Sequence, residues 1–256
     1  MEFKTIDRTP KFGDLPNEEL IRNLNELHIQ EQQKDQFISV ASHELNTPVT
    51  TTKLYLHILE EYCKKNGDVQ YLQYVEKAGH QLNKLSGLIA DLLDVSRLND
   101  GRFELHMAEV DVDDLVQKTI SAFQKSSLIH EILLIGHSNA KVLGDRERLQ
   151  QVLNNLLSNA VKFSPRANKV EVTLTREENM VNISVKDFGV GIEEKYHSLI
   201  FSRFFRMNDK DKNTYPGLGI GLYISSQIIL AHHGHIRMDS ILGKESNFVF
   251  TLPILS

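Results

Sequence analysis

The hydrophobic rhythm of the chain changes once, near residue 100. Before that point apolar and small residues recur at alternating steps of three and four. Ile38, Ala41, Leu45, Pro48, Thr52, Tyr55 and Leu59 form one such seam, the spacing of a helix face that packs along a partner helix. The stretch from Cys63 to Asp68 interrupts it, with Gly67 suited to a left-handed helix end and Asp68 to the next cap. A second seam runs through Val75, Ala78, Leu82, Leu85, Ile89, Leu92 and Ser96 and stops at Asn99-Asp100-Gly101. Two antiparallel helices of about thirty residues, each about 45 Å long, are expected. Such a hairpin leaves Leu54, Ile58, Leu88 and Leu93 without a partner; pairing two hairpins into a dimeric four-helix bundle covers them. A weaker run through Leu20, Leu24 and Leu27 reads as a coiled coil or a plain helical extension entering the bundle.

After residue 101 strands join the helices. The alternating segment 102–107 predicts a strand, and 112–123, 149–163 and 222–231 predict helices. Segments 169–175 and 180–187 read as two strands joined by the polar turn 176–179, and 235–238 and 248–252 as two more. The expected fold class is α+β: a helical hairpin followed by a sandwich of mixed or antiparallel sheet with helices on one face. The expected division is a linker or signalling helix over 1–33, a hairpin domain over 34–100 and an α/β domain over 101–256.

Composition narrows the class. With 256 residues, 41% hydrophobic and 25% charged, the chain has material for a substantial core. A net charge of -5 argues against a nucleic-acid partner. The lone Cys63 excludes an intrachain disulfide. No apolar run approaches the ~18 residues of a membrane span, and the polar opening 1–16 lacks the apolar core of a signal peptide. A soluble cytoplasmic protein without membrane contact of its own is expected, although the opening reads as that of a piece, with room for a membrane or sensory segment before it.

Three clusters carry candidate chemistry. His43 lies two residues from both Ala41 and Leu45, about 200° around the helix from each, so it points to water. Glu44 beside it is able to hold one ring nitrogen protonated and sharpen the other as a nucleophile. Pro48 bends the helix nearby. The second cluster is glycine-rich: Asp187-Phe-Gly189-Val-Gly191-Ile after a strand, and Pro216-Gly217-Leu218-Gly219-Ile-Gly221-Leu before a helix. Such glycines let backbone approach a phosphate closely at a helix start, and the Asp187 carboxylate is able to accept from the exocyclic amine of adenine. In the third, Asn155 and Asn159 share a helix face with Lys162 three residues on, a set suited to Mg²⁺ and phosphate oxygens. The commonplace alternatives are a solvated histidine, ordinary turn residues and a polar helix face. His232, His233 and His235 straddle a helix end and should not converge on a metal.

Together, His43 in His-Glu-Leu-Asn-Thr-Pro, the 154–165 run Asn-Asn-Leu-Leu-Ser-Asn-Ala-Val-Lys-Phe-Ser-Pro, and the two glycine boxes resemble, in order and spacing, the sensor histidine kinases of two-component signalling. The resemblance covers the chain from about residue 34 to its end. It implies a homodimeric phosphotransfer hairpin and a Bergerat-type ATP-binding domain, a fold shared with gyrase, Hsp90 and MutL. It implies ATP and Mg²⁺ as cofactors and autophosphorylation of His43, followed by transfer to an aspartate of a separate response-regulator receiver domain docking near Leu54–Leu59. Within it, Glu44 matches the neighbouring acid and general base, and Thr47 the hydroxyl residue used in regulator dephosphorylation. Asn155 matches the Mg²⁺ ligand, Asn159 and Lys162 phosphate-side residues, and Asp187 the adenine reader, with Gly189 and Gly191 in its loop. Arg206, after the aromatic run 200–205, matches a γ-phosphate contact, and Gly217, Gly219 and Gly221 the second glycine box. Two positions depart: Asn46 stands where a basic residue is common, and Leu218 where a hydroxyl is common. ATP-hydrolysing branches of the superfamily carry glutamate at the position of Asn155, which argues against a plain ATPase; a kinase-inactive dimeric scaffold is the other alternative.

Overall fold

The computed structural model describes residues 45–46, 49–100, 102–126, 130–205 and 218–255. The described residues up to 82 form one compact unit and those from 83 on another.

Helix α1 covers residues 49–66 and α2 covers Val69–Asn99. Gly67 has φ of 73°, the left-handed value expected of it, and the Asp68 N–H closes the end on the Cys63 carbonyl at 3.0 Å. Of the first seam, Ile38, Ala41 and Pro48, like Leu20, Leu24 and Leu27, lie outside the described residues. The rest of that seam is displaced. Val49 and Cys63 are buried and Leu56 half-buried, whereas Tyr55 and Leu59 are exposed together with Leu54, Ile58 and Tyr62. The inward face is thus one residue, or about 100°, around from the expected one. A helix with two adjacent apolar stripes offers two registers, and spacing alone does not choose between them. Leu88 and Leu93 are half-buried.

The second unit is built on a five-stranded sheet of order β2-β4-β5-β7-β6, with β2 parallel to β4 and the remaining pairs antiparallel. Its strands are β2 (Glu131–Ile135), β4 (Lys169–Glu177), β5 (Met180–Asp187), β6 (His235–Ile241) and β7 (Glu245–Pro253). A separate antiparallel pair joins β1 (Ala108–Asp111) to β3 (Lys141–Gly144). Three helices, α3 (Val112–Ser126), α4 (Arg146–Phe163) and α5 (Gly221–Ala231), complete the fold. In β5 every second residue is buried: Val181, Ile183, Val185 and Asp187. Val181, Ile183 and Val185 and their neighbours on β4 and β7 share one core with Leu149, Leu153, Leu156 and Leu157 of α4 and Ile224, Ile228 and Ile229 of α5. Each fully buried leucine or isoleucine contributes about 1.5–3 kcal/mol, which explains why the period-two and period-3.6 patterns meet on this face. The strand expected at 102–107 is not formed there. Phe103 and Leu105 do turn inward, but the His106 N–H bonds to Asp145 Oδ2 at 2.9 Å, a side chain and not a strand partner, and pairing starts only at Ala108.

The lower end of α2 packs on the start of α4. Arg148 Nη1 lies 2.6 Å from Asp94 Oδ2, Gln151 Nε2 donates to the same oxygen at 3.0 Å, and the Arg148 guanidinium stacks on Phe103 at 4.8 Å. Burying Asp94 is tolerable because that oxygen has both partners.

His232 is a core residue. Its Nδ1–H donates to the Ile228 carbonyl at 2.7 Å and its Nε2 accepts the Asp145 N–H at 2.8 Å. Both nitrogens are committed, and no group of three or more His, Cys, Asp or Glu side chains suited to a metal occurs among the described residues. Burial holds the His232 pKa below its usual value of 6.5. Below about pH 6.5 the unfolded chain therefore takes up a proton that the folded chain resists. The stability this neutral ring confers is complete above that pH and is lost as the pH falls. Melting temperatures measured from pH 7.5 down to pH 5 are expected to fall more steeply for the wild type than for His232→Gln; equal slopes would refute the assignment.

Candidate functional site

Three segments meet around the carboxyl end of α4. The first is the turn after β5. Asp187 is 3% exposed, and its Oδ1 accepts the Gly189 N–H at 3.0 Å. Burial, with the Glu245 charge adding to it, raises the Asp187 pKa to about 6 despite that hydrogen bond. The turn is sewn down on both sides: the Val190 N–H reaches the Phe163 carbonyl at 3.1 Å, and the Gly243 N–H reaches the Val190 carbonyl at 2.7 Å. A Cβ on Gly189 would stand 2.1 Å from the Phe163 carbonyl oxygen, and one on Gly191 2.2 Å from that of Ile241. The protein's own backbone therefore requires these glycines, with or without a ligand.

The second segment is α4 itself. Asp145 caps it, accepting the Glu147 and Arg148 N–H groups, while Leu149 to Ala160 bury its apolar stripe. Its other face presents Asn155, Asn159 and Lys162, all half-buried. Asn155 Nδ2 donates to Ser225 Oγ on α5 at 2.9 Å, and Asn159 Nδ2 lies 3.5 Å from Asn155 Oδ1. Lys162 Nζ sits 4.8 Å above the Phe163 ring.

The third segment leads into α5. Leu218 is exposed, Gly219 is left-handed with φ of 72°, and Gly221 starts the helix without a side-chain cap before it. A Cβ on Gly221 would lie 2.5 Å from Asn155 Oδ1. The expectation that Gly221 is small for a phosphate is therefore supplemented: it is small for Asn155. The aromatic run is anchored beneath, with Phe201 edge-on to Phe248 at 6.4 Å and Phe205 against Tyr196 at 5.6 Å. Arg203 stacks on Tyr223 of α5 at 4.8 Å.

The structure thus brings Asn155, Asn159 and Gly221 into contact, and joins the Asp187–Gly191 turn to the end of the helix that carries Lys162. His43, Glu44, Thr47, Arg206 and Gly217 lie outside the described residues. Ser225 is not singled out by the sequence pattern. Its only signal is its place as the first of three polar residues, Ser225 to Gln227, in a largely apolar helix, four positions after Gly221 and facing a partner seventy residues away in the chain.

Comparison with known proteins decides the family. Residues 33–101 match the model of the His Kinase A (phospho-acceptor) domain, and residues 144–256 that of the histidine kinase-, DNA gyrase B- and HSP90-like ATPases. The sensor histidine kinase WalK of Bacillus subtilis is 31% identical over 238 residues, covering 91% of this chain and 39% of WalK. The sensor-like histidine kinase SenX3 of Mycobacterium tuberculosis is 34% identical over 221 residues, covering 86% of this chain and 53% of SenX3. The chain belongs to the sensor histidine kinases of two-component signalling.

The kinase spans about half the length, or less, of those relatives. Among solved structures, full-length ShkA in complex with AMPPNP superposes with a TM-score of 0.67 at 26% identity, over 86% of this chain and 46% of that one. The mycobacterial sensor histidine kinase MprB gives 0.52 at 27% identity, over 58% of this chain and 97% of that one. The chain has the expected arrangement, a helical region followed by an α/β sandwich. Among its described residues no helix is long and apolar enough to cross a membrane.

Proposed function

We propose that this chain autophosphorylates His43 from ATP with Mg²⁺ and passes the phosphoryl group to an aspartate of a response-regulator receiver domain, with dephosphorylation of that regulator assisted by Thr47. The observation that carries the reading is an amide, Asn155, beside the second glycine loop, in a chain that also matches a phospho-acceptor domain. An amide has no basicity with which to activate water. The γ-phosphate is thereby left for another nucleophile, and His43 is the one its motif supplies.

In this reading Asp187 keeps Oδ1 on the Gly189 N–H and offers Oδ2 to the exocyclic amine of adenine. Asn155 would hold Mg²⁺ through its amide oxygen, a hard donor of the kind it takes, with Asn159 on the phosphate side of the same helix. The ion, when bound, supplies neutralisation of the phosphate charge. Lys162, Arg206 and the uncapped N–H groups of α5 would serve the phosphates, with the loop of Gly217, Leu218 and Gly219 supplying backbone contacts. The unprotonated ring nitrogen of His43 forms the N–P bond as the bond from the γ-phosphorus to the bridging oxygen breaks and ADP leaves. The proton on the other ring nitrogen passes to Glu44. The resulting phosphoramidate is cleaved in turn by the regulator's carboxylate.

Two copies pair through the exposed stripe Leu54, Tyr55, Ile58, Leu59 and Tyr62 of α1, with the hairpin over 34–100 and the ATP-binding part over 101–256; a swing of that part near residue 100 toward His43 requires release of the Asp94–Arg148 ion pair. ATP and a receiver domain as co-substrates place the reaction in the cytoplasm. Incubation with γ-labelled ATP and Mg²⁺ tests the proposal. Label on the protein that is lost in acid and kept in base supports it. Free phosphate without labelled protein indicates hydrolysis instead, and failure to bind nucleotide indicates a scaffold.

A further inference from the structure

We propose that Ser225 is a positioning residue for this reaction: its buried hydroxyl pins the Asn155 amide at the place where it would meet the metal ion that accompanies the nucleotide. The proposal rests on the reading of α4 and α5 as the phosphate side of an ATP site.

An amide side chain is nearly symmetric in shape but opposite in chemistry at its two ends. Only its carbonyl oxygen is a ligand for Mg²⁺. Turned over, Asn155 would aim two N–H groups at a cation. Whatever holds this amide in place therefore bears on how well its oxygen meets the ion.

Three contacts hold it. Nδ2 of Asn155 donates to Ser225 Oγ at 2.9 Å. Oδ1 turns the other way, where it meets Asn159 Nδ2 at 3.5 Å. The amide plane packs flat against Gly221, since a Cβ there would lie 2.5, 3.1 and 3.2 Å from Oδ1, Cγ and Nδ2. Asn159, using its own Nδ2 on Asn155, is left to present its Oδ1 elsewhere. One hydroxyl thus anchors the first amide, and the second rests against it.

Ser225 is 2% exposed and shares its helix with the buried Ile224, Ile228 and Ile229. Packing alone would favour alanine at such a place, because burying a hydroxyl is costly unless it is bonded. Its neighbour Ser226 bonds back to the Tyr223 carbonyl of its own helix at 2.7 Å, the usual habit of a helical serine. Ser225 instead bonds across to α4.

The test is a Mg²⁺ titration of AMPPNP binding by the full chain, comparing wild type, Ser225→Ala and Ser225→Thr, with melting curves alongside. In EDTA, Ser225→Ala is expected to bind within about twofold of wild type, because the adenine side is untouched, while its Mg²⁺ midpoint rises about tenfold, a typical cost of losing the partner that orients a metal ligand. Ser225→Thr keeps the hydroxyl and is expected to restore the midpoint to within about threefold of wild type. In an Asn155→Ala background the serine change is expected to add nothing. Should Ser225→Ala fail to fold, Ser225→Cys, a weaker acceptor, carries the same expectation with the same sign. An unchanged midpoint, or equal losses with and without Mg²⁺, overturns the role of Ser225 and leaves the nucleotide site standing, as does wild-type binding indifferent to Mg²⁺. A wild-type chain that binds AMPPNP in neither condition overturns both.

Discussion

A chain carrying His43→Gln, incubated with γ-labelled ATP and Mg²⁺, is expected to acquire no protein-bound label while binding nucleotide as the wild type does. Glutamine matches imidazole roughly in size and polarity but offers no ring lone pair, so the change removes the nucleophile and little else. On the order of 10³-fold or more should be lost, because without the attacking atom no covalent intermediate exists to be accelerated. The chain has 11 histidines, so the assignment needs this control. Two are disqualified by packing: His232 has both ring nitrogens engaged, and His130, 2% exposed, has Nε2 against the Ser164 carbonyl at 2.8 Å. Among the described residues His57, His106, His137, His233 and His235 are exposed. Persistent acid-labile label on His43→Gln would move the acceptor to one of these and defeat the proposed mechanism.

Asp187→Asn is expected to melt at a higher temperature than the wild type and to bind nucleotide far more weakly. Both effects come from the same burial. The carboxylate pKa, raised to about 6 from 3.8, means that at pH 7.5 the folded chain holds this charge at a cost on the order of 3 kcal/mol relative to the unfolded chain. Asparagine removes the charge and keeps an oxygen for the Gly189 N–H. Its other end then becomes an amino group, a donor facing the donor of adenine. Losing a charge-assisted hydrogen bond costs about 1.5–3 kcal/mol, or roughly 10- to 150-fold in affinity. The sign of the pH effect follows. Between about pH 6 and pH 4 the folded wild type takes up a proton that the unfolded chain does not, so this group's penalty on stability shrinks as pH falls. Nucleotide affinity falls over the same range, because a protonated carboxyl no longer presents two acceptors. Calorimetry of ADP binding and melting at pH 7.5 and pH 5 reads both. A variant that bound ADP normally would remove Asp187 from the adenine site.

Elements with strong local periodicity are legible in the sequence alone. The leucines of α4 and the alternating β4, β5 and β7 lie where their patterns predict, because burial on one face imposes those periods. The features that escape depend on distant partners. β2, Glu-Ile-Leu-Leu-Ile, is too short and uniformly apolar to separate strand from helix, and it becomes a strand by pairing in parallel with β4. The start of β1 is shifted because Asp145, nearly forty residues on, takes the backbone of His106. The inward stripe of α1 differs by one residue because a bundle helix carries two apolar faces. At the candidate site the sequence pattern marks the glycines as necessary for a ligand. Collisions with Phe163, Ile241 and Asn155 show that the fold itself requires Gly189, Gly191 and Gly221. Ser225 is invisible to such patterns because its meaning lies entirely in a contact between two helices.

Those two helices are fastened to each other twice, by His232 against Asp145 at one end and by Ser225 against Asn155 farther along. A strut braced at two points does not splay when a guest arrives. The polar groups along it are prearranged, so binding there forfeits little rotamer or backbone freedom. Their amide hydrogens should exchange with deuterium only when the whole sandwich opens.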